Sequence, residues 1–196
     1  MLTAAIAFSK WLSNDDVRAT MLASADCWPI ARAIIQNAFV LRRHTMAASR
    51  EEIIEMLEVA YSMELETVMN YIANSVNLDG VRAEEIKKSL AADVNEELLH
   101  AQQIGQRIKQ IGGLVPGSAA VNIGGQMQPP EDTTDVTAVI RAVIAAEQAA
   151  CNQYVKIIKA TDGDDYVTQD MCIRLLAAEE EHLVLFKGFL KEYTQN

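Results

Sequence analysis

Apolar residues recur along most of this chain at steps of three, four and seven, the period of an amphipathic helix, and no stretch alternates convincingly as a strand would. From Ser49 onward the pattern is regular. "SREE" sets Ser49 three residues before Glu52, a capping-box spacing that predicts a helix start, and Ile53, Leu57, Glu64, Val68, Tyr71 and Ser75 then share one stripe to about residue 77. "NLDG" supplies turn residues. A second helix carries Ile86, Leu90, Val94, Glu97, His100 or Ala101, Ile104, Ile108 and Ile111, and stops at Gly112 and Gly113, where glycine suits a left-handed cap. Residues 112–132 hold five glycines and three prolines and cannot continue it. A third helix carries Val136, Val139 or Ile140, Val143, Glu147, Ala150, Tyr154 and Ile157 or Ile158. "TDGDD" turns the chain into a fourth, with Val167, Met171, Leu175, Glu179, His182, Phe186 and Phe189.

Two helical hairpins joined by one long crossover predict an all-α four-helix bundle over residues 49–196. Residues 1–48 match nothing in it and form an N-terminal extension, helical or poorly ordered. Its "IARAIIQNAFVLRRH" reads as a short basic amphipathic helix suited to a neighbouring subunit, DNA or a membrane surface. Met46 stands directly before the capping box, so the favoured expectation is a native start there, with residues 1–45 lying outside the native protein.

The stripes contain residues that do not belong in a core. In "LAAEEEHLVLF", residues 176–186, Glu179 and His182 share a helical face with Leu175, Phe186 and Phe189. Each of the other helices repeats the anomaly with Glu64, Glu97 or Glu147. Glu64 lies sixteen residues before Gly80 and Glu97 seventeen after it; Glu147 and Glu179 lie sixteen on either side of Gly163. Antiparallel helices rise equally per residue, so each pair is level, and packing the hairpins side by side brings four carboxylates together. Buried unpaired charge costs several kcal/mol or more, so something positive has to join them. No Lys or Arg occupies these stripes nearby. His100 and His182 do, each three residues after a stripe glutamate. Carboxylates with imidazole suit divalent iron or manganese, and four carboxylates balance two such ions. One Glu-x-x-His is a weak signal; two among only three histidines, both on core stripes, are a strong one.

Composition narrows the rest. A net charge of −10 and a pI near 4.8 count against nucleic acid as the default partner. That charge is uneven, with +3 in residues 1–50 and −13 in residues 51–196. Cys27, Cys151 and Cys172 form no disulfide framework or zinc pattern, and the start has no basic residue ahead of its short apolar run. A soluble cytoplasmic protein without a signal peptide or membrane span is expected. Cys151 lies one turn past Glu147 and Cys172 two turns before Glu179, so both are displaced toward one end of the bundle. They read either as small core residues or as a redox pair.

"ELETVMNY", "EELLHAQQIGQRIKQIGGLVP" and "YVTQDMCIRLLAAEEEHLVLF" make residues 49–194 resemble the ferritin-like di-iron proteins, most closely bacterioferritins and Dps-like ferritins with a bacterioferritin-type centre. That six-ligand set is the one the handful of ferritin-like bundles is known for. The resemblance implies Glu64 and Glu147 as terminal ligands, Glu97 and Glu179 as bridging ligands, and His100 and His182 as one imidazole for each of two irons. It places Tyr71 beside the centre and likens Cys151 and Cys172 to the thiol pair of thioferritins. Haem is not expected, because Leu98 stands where bacterioferritins carry the haem-ligating methionine. The chain ends at "KEYTQN" without a fifth helix, which tilts the expected shell from 24 subunits to 12. The implied activity is oxidation of Fe2+ by O2 or H2O2 and storage of the product in a hollow homo-oligomer. Rival readings are a two-metal peroxidase, manganese catalase or hydroxylase and, in another class, a DNA-binding protective shell.

Overall fold

The computed structural model describes residues 48–194. The basic N-terminal stretch, Cys27, His44 and the expected start at Met46 fall outside them. Among the described residues there are four α-helices and no strand: α1 (Arg50–Asn77), α2 (Glu84–Gln110), α3 (Val136–Ala160) and α4 (Tyr166–Thr194), with a 3-10 turn at Val81–Ala83 leading into α2. The described residues thus form an all-α four-helix bundle. α1 packs against α2, α3 against α4, and α1 against α3. None of these helices is long and apolar enough to cross a membrane.

The helix ends follow local chemistry. Ser49 Oγ accepts the Glu52 amide at 3.2 Å while the Glu52 carboxylate accepts the Ser49 amide at 2.8 Å, so the capping box is complete. Asp135 caps α3 by accepting the Ala138 amide at 2.9 Å. α2 ends at Gln110, and just past its cap Gly112 has a φ of 92° that a side chain would strain. At α4 the expected stripe needs one correction. Val167 is 61% exposed, and Thr168 is the buried residue. Asp165 accepts the Thr168 amide at 3.0 Å, and Arg107 of α2 donates to both Thr168 Oγ1 and Asp165 Oδ1 at 2.7 Å. That network turns Thr168 inward, and the apolar stripe starts at Met171.

The crossover is held along α1 by a polar row at four-residue spacing. Glu66 accepts the amides of Gly124 at 2.9 Å and Gln126 at 2.6 Å; Asn70 donates to the Gln126 carbonyl at 2.8 Å and Asn74 to that of Met127 at 3.0 Å. Buried side chains here do what a strand partner would do for irregular backbone.

The core comes in two parts. One cluster holds Ile53, Leu57, Ile104, Ile108, Tyr154, Ile157, Met171, Cys172 and Leu175. The other holds Tyr71, Leu78, Ile86, Leu90, Ile140, Val143 and Phe186. On every helix the stripe glutamate falls between its contributions to the two clusters. The polar layer is therefore sealed above and below by apolar side chains.

Candidate metal centre

Helical rise sets the level of each glutamate, and the apolar clusters turn it inward. Glu64, Glu97, Glu147 and Glu179 are each no more than 2% exposed, and His100 and His182 are also buried. All six residues singled out by spacing come together. His100 Nδ1 lies 3.0 Å from Glu179 Oε1, 3.6 Å from Glu64 Oε2 and 3.7 Å from Glu97 Oε2. His182 Nδ1 lies 3.1 Å from Glu97 Oε1 and 3.4 Å from Glu179 Oε2. Two interlocked donor groups result, Glu64–Glu97–His100–Glu179 and Glu97–Glu147–Glu179–His182, each offering ligand atoms within 4.8 Å of one another. Glu97 and Glu179 belong to both.

Whether this cluster suits metal ions can be tested on its unsatisfied atoms. Glu97 Oε1, both oxygens of Glu179 and the Nδ1 atoms of His100 and His182 are buried without a hydrogen-bond partner. The imidazole nitrogens come close to the carboxylates without the angles of a hydrogen bond. Leaving so many buried polar atoms unmade costs about 1–3 kcal/mol each, and native interiors avoid it. Lone pairs converging from carboxylates and imidazoles are what divalent cations take up, so a buried Glu/His cluster compatible with two metal ions stands at the middle of the bundle.

Without an ion, protons settle the charge. Burial drives the Glu64 and Glu147 carboxyls well above the usual range, helped by neighbouring carboxylates, which favours their protonated form. Burial also opposes ionisation of Glu97, but the two imidazoles outweigh it and hold that group down at about 2. Glu179 is lowered for the same reason. Burial works against charge on the imidazoles too, yet the surrounding carboxylates push His100 up to about 12 and His182 to about 11. Charge on the two imidazoles and on Glu97 and Glu179 is thus mutually supporting.

Tyr71 lies beside the centre and donates its phenol proton to Glu147 Oε1. Tyr154 does the same for Glu64 Oε1, a role that the sequence reading missed. A signal was there: Tyr154 follows Glu147 by seven residues, as Tyr71 follows Glu64. Burial raises both phenols well above their usual range, so each stays a donor. Cys151 and Cys172 are free and buried thiols. Burial pushes them up to about 11 and about 12, so both are protonated and poorly nucleophilic at neutral pH.

A family model described as the ferritin-like domain matches residues 54–195. A bacterioferritin from Desulfovibrio desulfuricans is 26% identical over 156 residues, covering 73% of this chain and 79% of that protein. A DNA protection during starvation protein from Pyrococcus furiosus is 26% identical over 144 residues, covering 71% of this chain and 77% of that one. Among solved structures, a dodecameric thioferritin, the bacterioferritin-related protein from Bacteroides fragilis, superposes with a TM-score of 0.66 at 22% identity, covering 76% of this chain and 90% of its own.

Proposed function

The chain belongs to the ferritin-like domain family, and from that premise we propose that it oxidises Fe2+ at its buried Glu/His cluster and retains the ferric product inside a homo-oligomeric shell. The observation that carries this reading is the sharing of Glu97 and Glu179 between two donor groups, an arrangement that would hold two cations within reach of one oxidant. Glu64 and His100 complete the donors on one side, Glu147 and His182 on the other. Fe2+ is the substrate: two of them release one electron each, and H2O2 accepts both electrons with two protons and leaves as two waters, or O2 accepts them with two protons and leaves as H2O2.

The chain's own residues hold and orient. Four carboxylates supply four negative charges against two divalent cations, so loading requires Glu64 and Glu147 to lose the protons that burial gives them. The Tyr154 and Tyr71 phenols fix those two carboxylates through one oxygen each and leave the other oxygen for the cation. The apolar clusters on both sides exclude water from the layer. The charge of −13 over residues 51–196 favours cations at the surface and lining of a shell. A shell of twelve is the expected form, after the dodecameric thioferritin whose fold this chain shares.

The test is to load the anaerobic protein with Fe2+, add O2 or H2O2 separately, and measure iron per particle after size-exclusion chromatography. Iron far beyond two per chain in a hollow assembly supports storage. Oxidation that leaves only two per chain supports a catalytic use of the same centre, and no oxidation at all removes the reading.

A further inference from the structure

The residue before each of the two tyrosines at the centre is an amide, and each amide ties its helix to a neighbouring backbone. Gln153, half-buried on α3, donates its Nε2 to the Met56 carbonyl of α1 at 2.7 Å. Tyr154, the next residue, donates to Glu64, about two turns beyond Met56 on that same α1. Asn70, buried on α1, donates its Nδ2 to the Gln126 carbonyl of the crossover at 2.8 Å. Tyr71, the next residue, donates to Glu147 of α3, the helix into which the crossover leads.

The ordinary explanation is that two amides happen to join neighbouring segments. The internal repeat argues against coincidence. An offset of 83 residues carries Glu64 onto Glu147, Asn70 onto Gln153 and Tyr71 onto Tyr154. The other polar residues of 64–74 are lost under it: Glu66 falls on Ala149, Thr67 on Ala150 and Asn74 on Ile157. The amide stays with the phenol and the carboxylate, while both its length and the backbone it binds have changed. What the halves share is a helix anchored next to its tyrosine, by whatever contact is at hand.

Successive helical residues stand about 100° apart, so fixing one at the helix edge fixes the direction in which the next one points. With side chains reaching about 5–6 Å from the axis, a rotation of about 10° moves a side-chain tip by about 1 Å. A hydrogen bond tolerates only a few tenths of an ångström, so an unanchored helix would lose the phenol–carboxylate contact.

We propose that Gln153 and Asn70 are positioning residues for the Tyr154–Glu64 and Tyr71–Glu147 bonds, and through those bonds set how tightly Glu64 and Glu147 hold their cations. The proposal rests on the two-metal reading of the centre.

The test is a double-mutant cycle read by Co2+ affinity in equilibrium dialysis, beside UV resonance Raman of the metal-free protein, in which the tyrosine ring doublet reports whether a phenol donates. Gln153→Met and Asn70→Leu remove the amides at nearly constant size. Gln153→Met should weaken Co2+ binding about threefold, less than loss of the phenol itself. It should add nothing once Tyr154→Phe is present, yet keep its full effect beside Tyr71→Phe. Asn70→Leu should behave conversely, its effect vanishing only beside Tyr71→Phe. In the Raman difference against Tyr154→Phe, Gln153→Met should move the Tyr154 signal toward that of a weaker donor. Losses that add in either matched pair overturn the proposal. So does a fall in urea stability with Co2+ affinity unchanged, which would make the amides structural links and nothing more. A parent chain that takes up no Co2+ removes the two-metal reading; the Raman comparison then decides the positioning by itself, and an unchanged Tyr154 signal overturns it.

Discussion

The two hairpins agree where they touch the centre and differ at their helix starts. Glu64, Tyr71, Glu97 and His100 in the first have counterparts Glu147, Tyr154, Glu179 and His182 in the second, at offsets of 82 or 83 residues. Each tyrosine crosses to the other hairpin, Tyr71 to Glu147 and Tyr154 to Glu64, so neither half is complete alone. Their ends differ. α1 begins with a local capping box, whereas α4 is capped by Asp165 with the help of Arg107 from α2. The lesson is that the two halves match where both contribute to one buried donor cluster. Helix ends solve a local problem and accept any chemistry that solves it.

That comparison can be broken most forcefully at the residues common to both halves. Glu97→Ala should abolish fast Fe2+ oxidation, with a loss beyond the roughly 100-fold seen when only supporting groups around a metal are changed. Stopped-flow absorbance checks it, and an unchanged rate places the chemistry elsewhere. The terminal pair tests equivalence. Glu64→Gln and Glu147→Gln should each lower uptake to about one tightly held Co2+ per chain, read by equilibrium dialysis, and a large difference between them would show that the halves are unequal.

A smaller effect belongs to the tyrosines. Tyr71→Phe and Tyr154→Phe should each weaken Co2+ affinity by about tenfold, the lower end for groups that orient a ligand. A loss confined to Tyr71→Phe would give that residue a role beyond holding Glu147.

The least effect is expected at the divergent ends. Asp165→Asn should cost about 1 kcal/mol in urea unfolding, comparable to loss of a helix cap. Burial opposes charge on Asp165, but the Thr168 hydroxyl and amide and then Arg107 outweigh it and hold its carboxyl below the usual range. A carboxyl lowered in the folded state adds stability above its unfolded value, near 4, and loses it as pH falls through the folded one. The gap between parent and Asp165→Asn should therefore be constant at neutral pH and close below about pH 4. A gap that widens in acid would contradict the assignment.

Much of this was legible from spacing because a helix converts position along the chain into height and angle at a fixed rate. Ser49 and Glu52, Gly112 and the six buried Glu and His residues were all found that way. Tyr154 was readable by the same rule but hidden by its apolar company on α3. Thr168 was not readable, because its inward turn depends on Arg107, sixty-one residues away. The row Glu66, Asn70 and Asn74 resembles any polar face until the crossover lies over it.

By itself the sequence determined that four carboxylates and two imidazoles stand at one level on the inner faces of four rods, since periodicity and turn positions leave little else. Only the tertiary structure decided which atom of each side chain meets which. The pairings of Tyr154 with Glu64 and of Tyr71 with Glu147 depend on how each helix is rotated about its axis and which rotamer its neighbours allow. Packing sets those two quantities, and packing involves residues far apart in the chain.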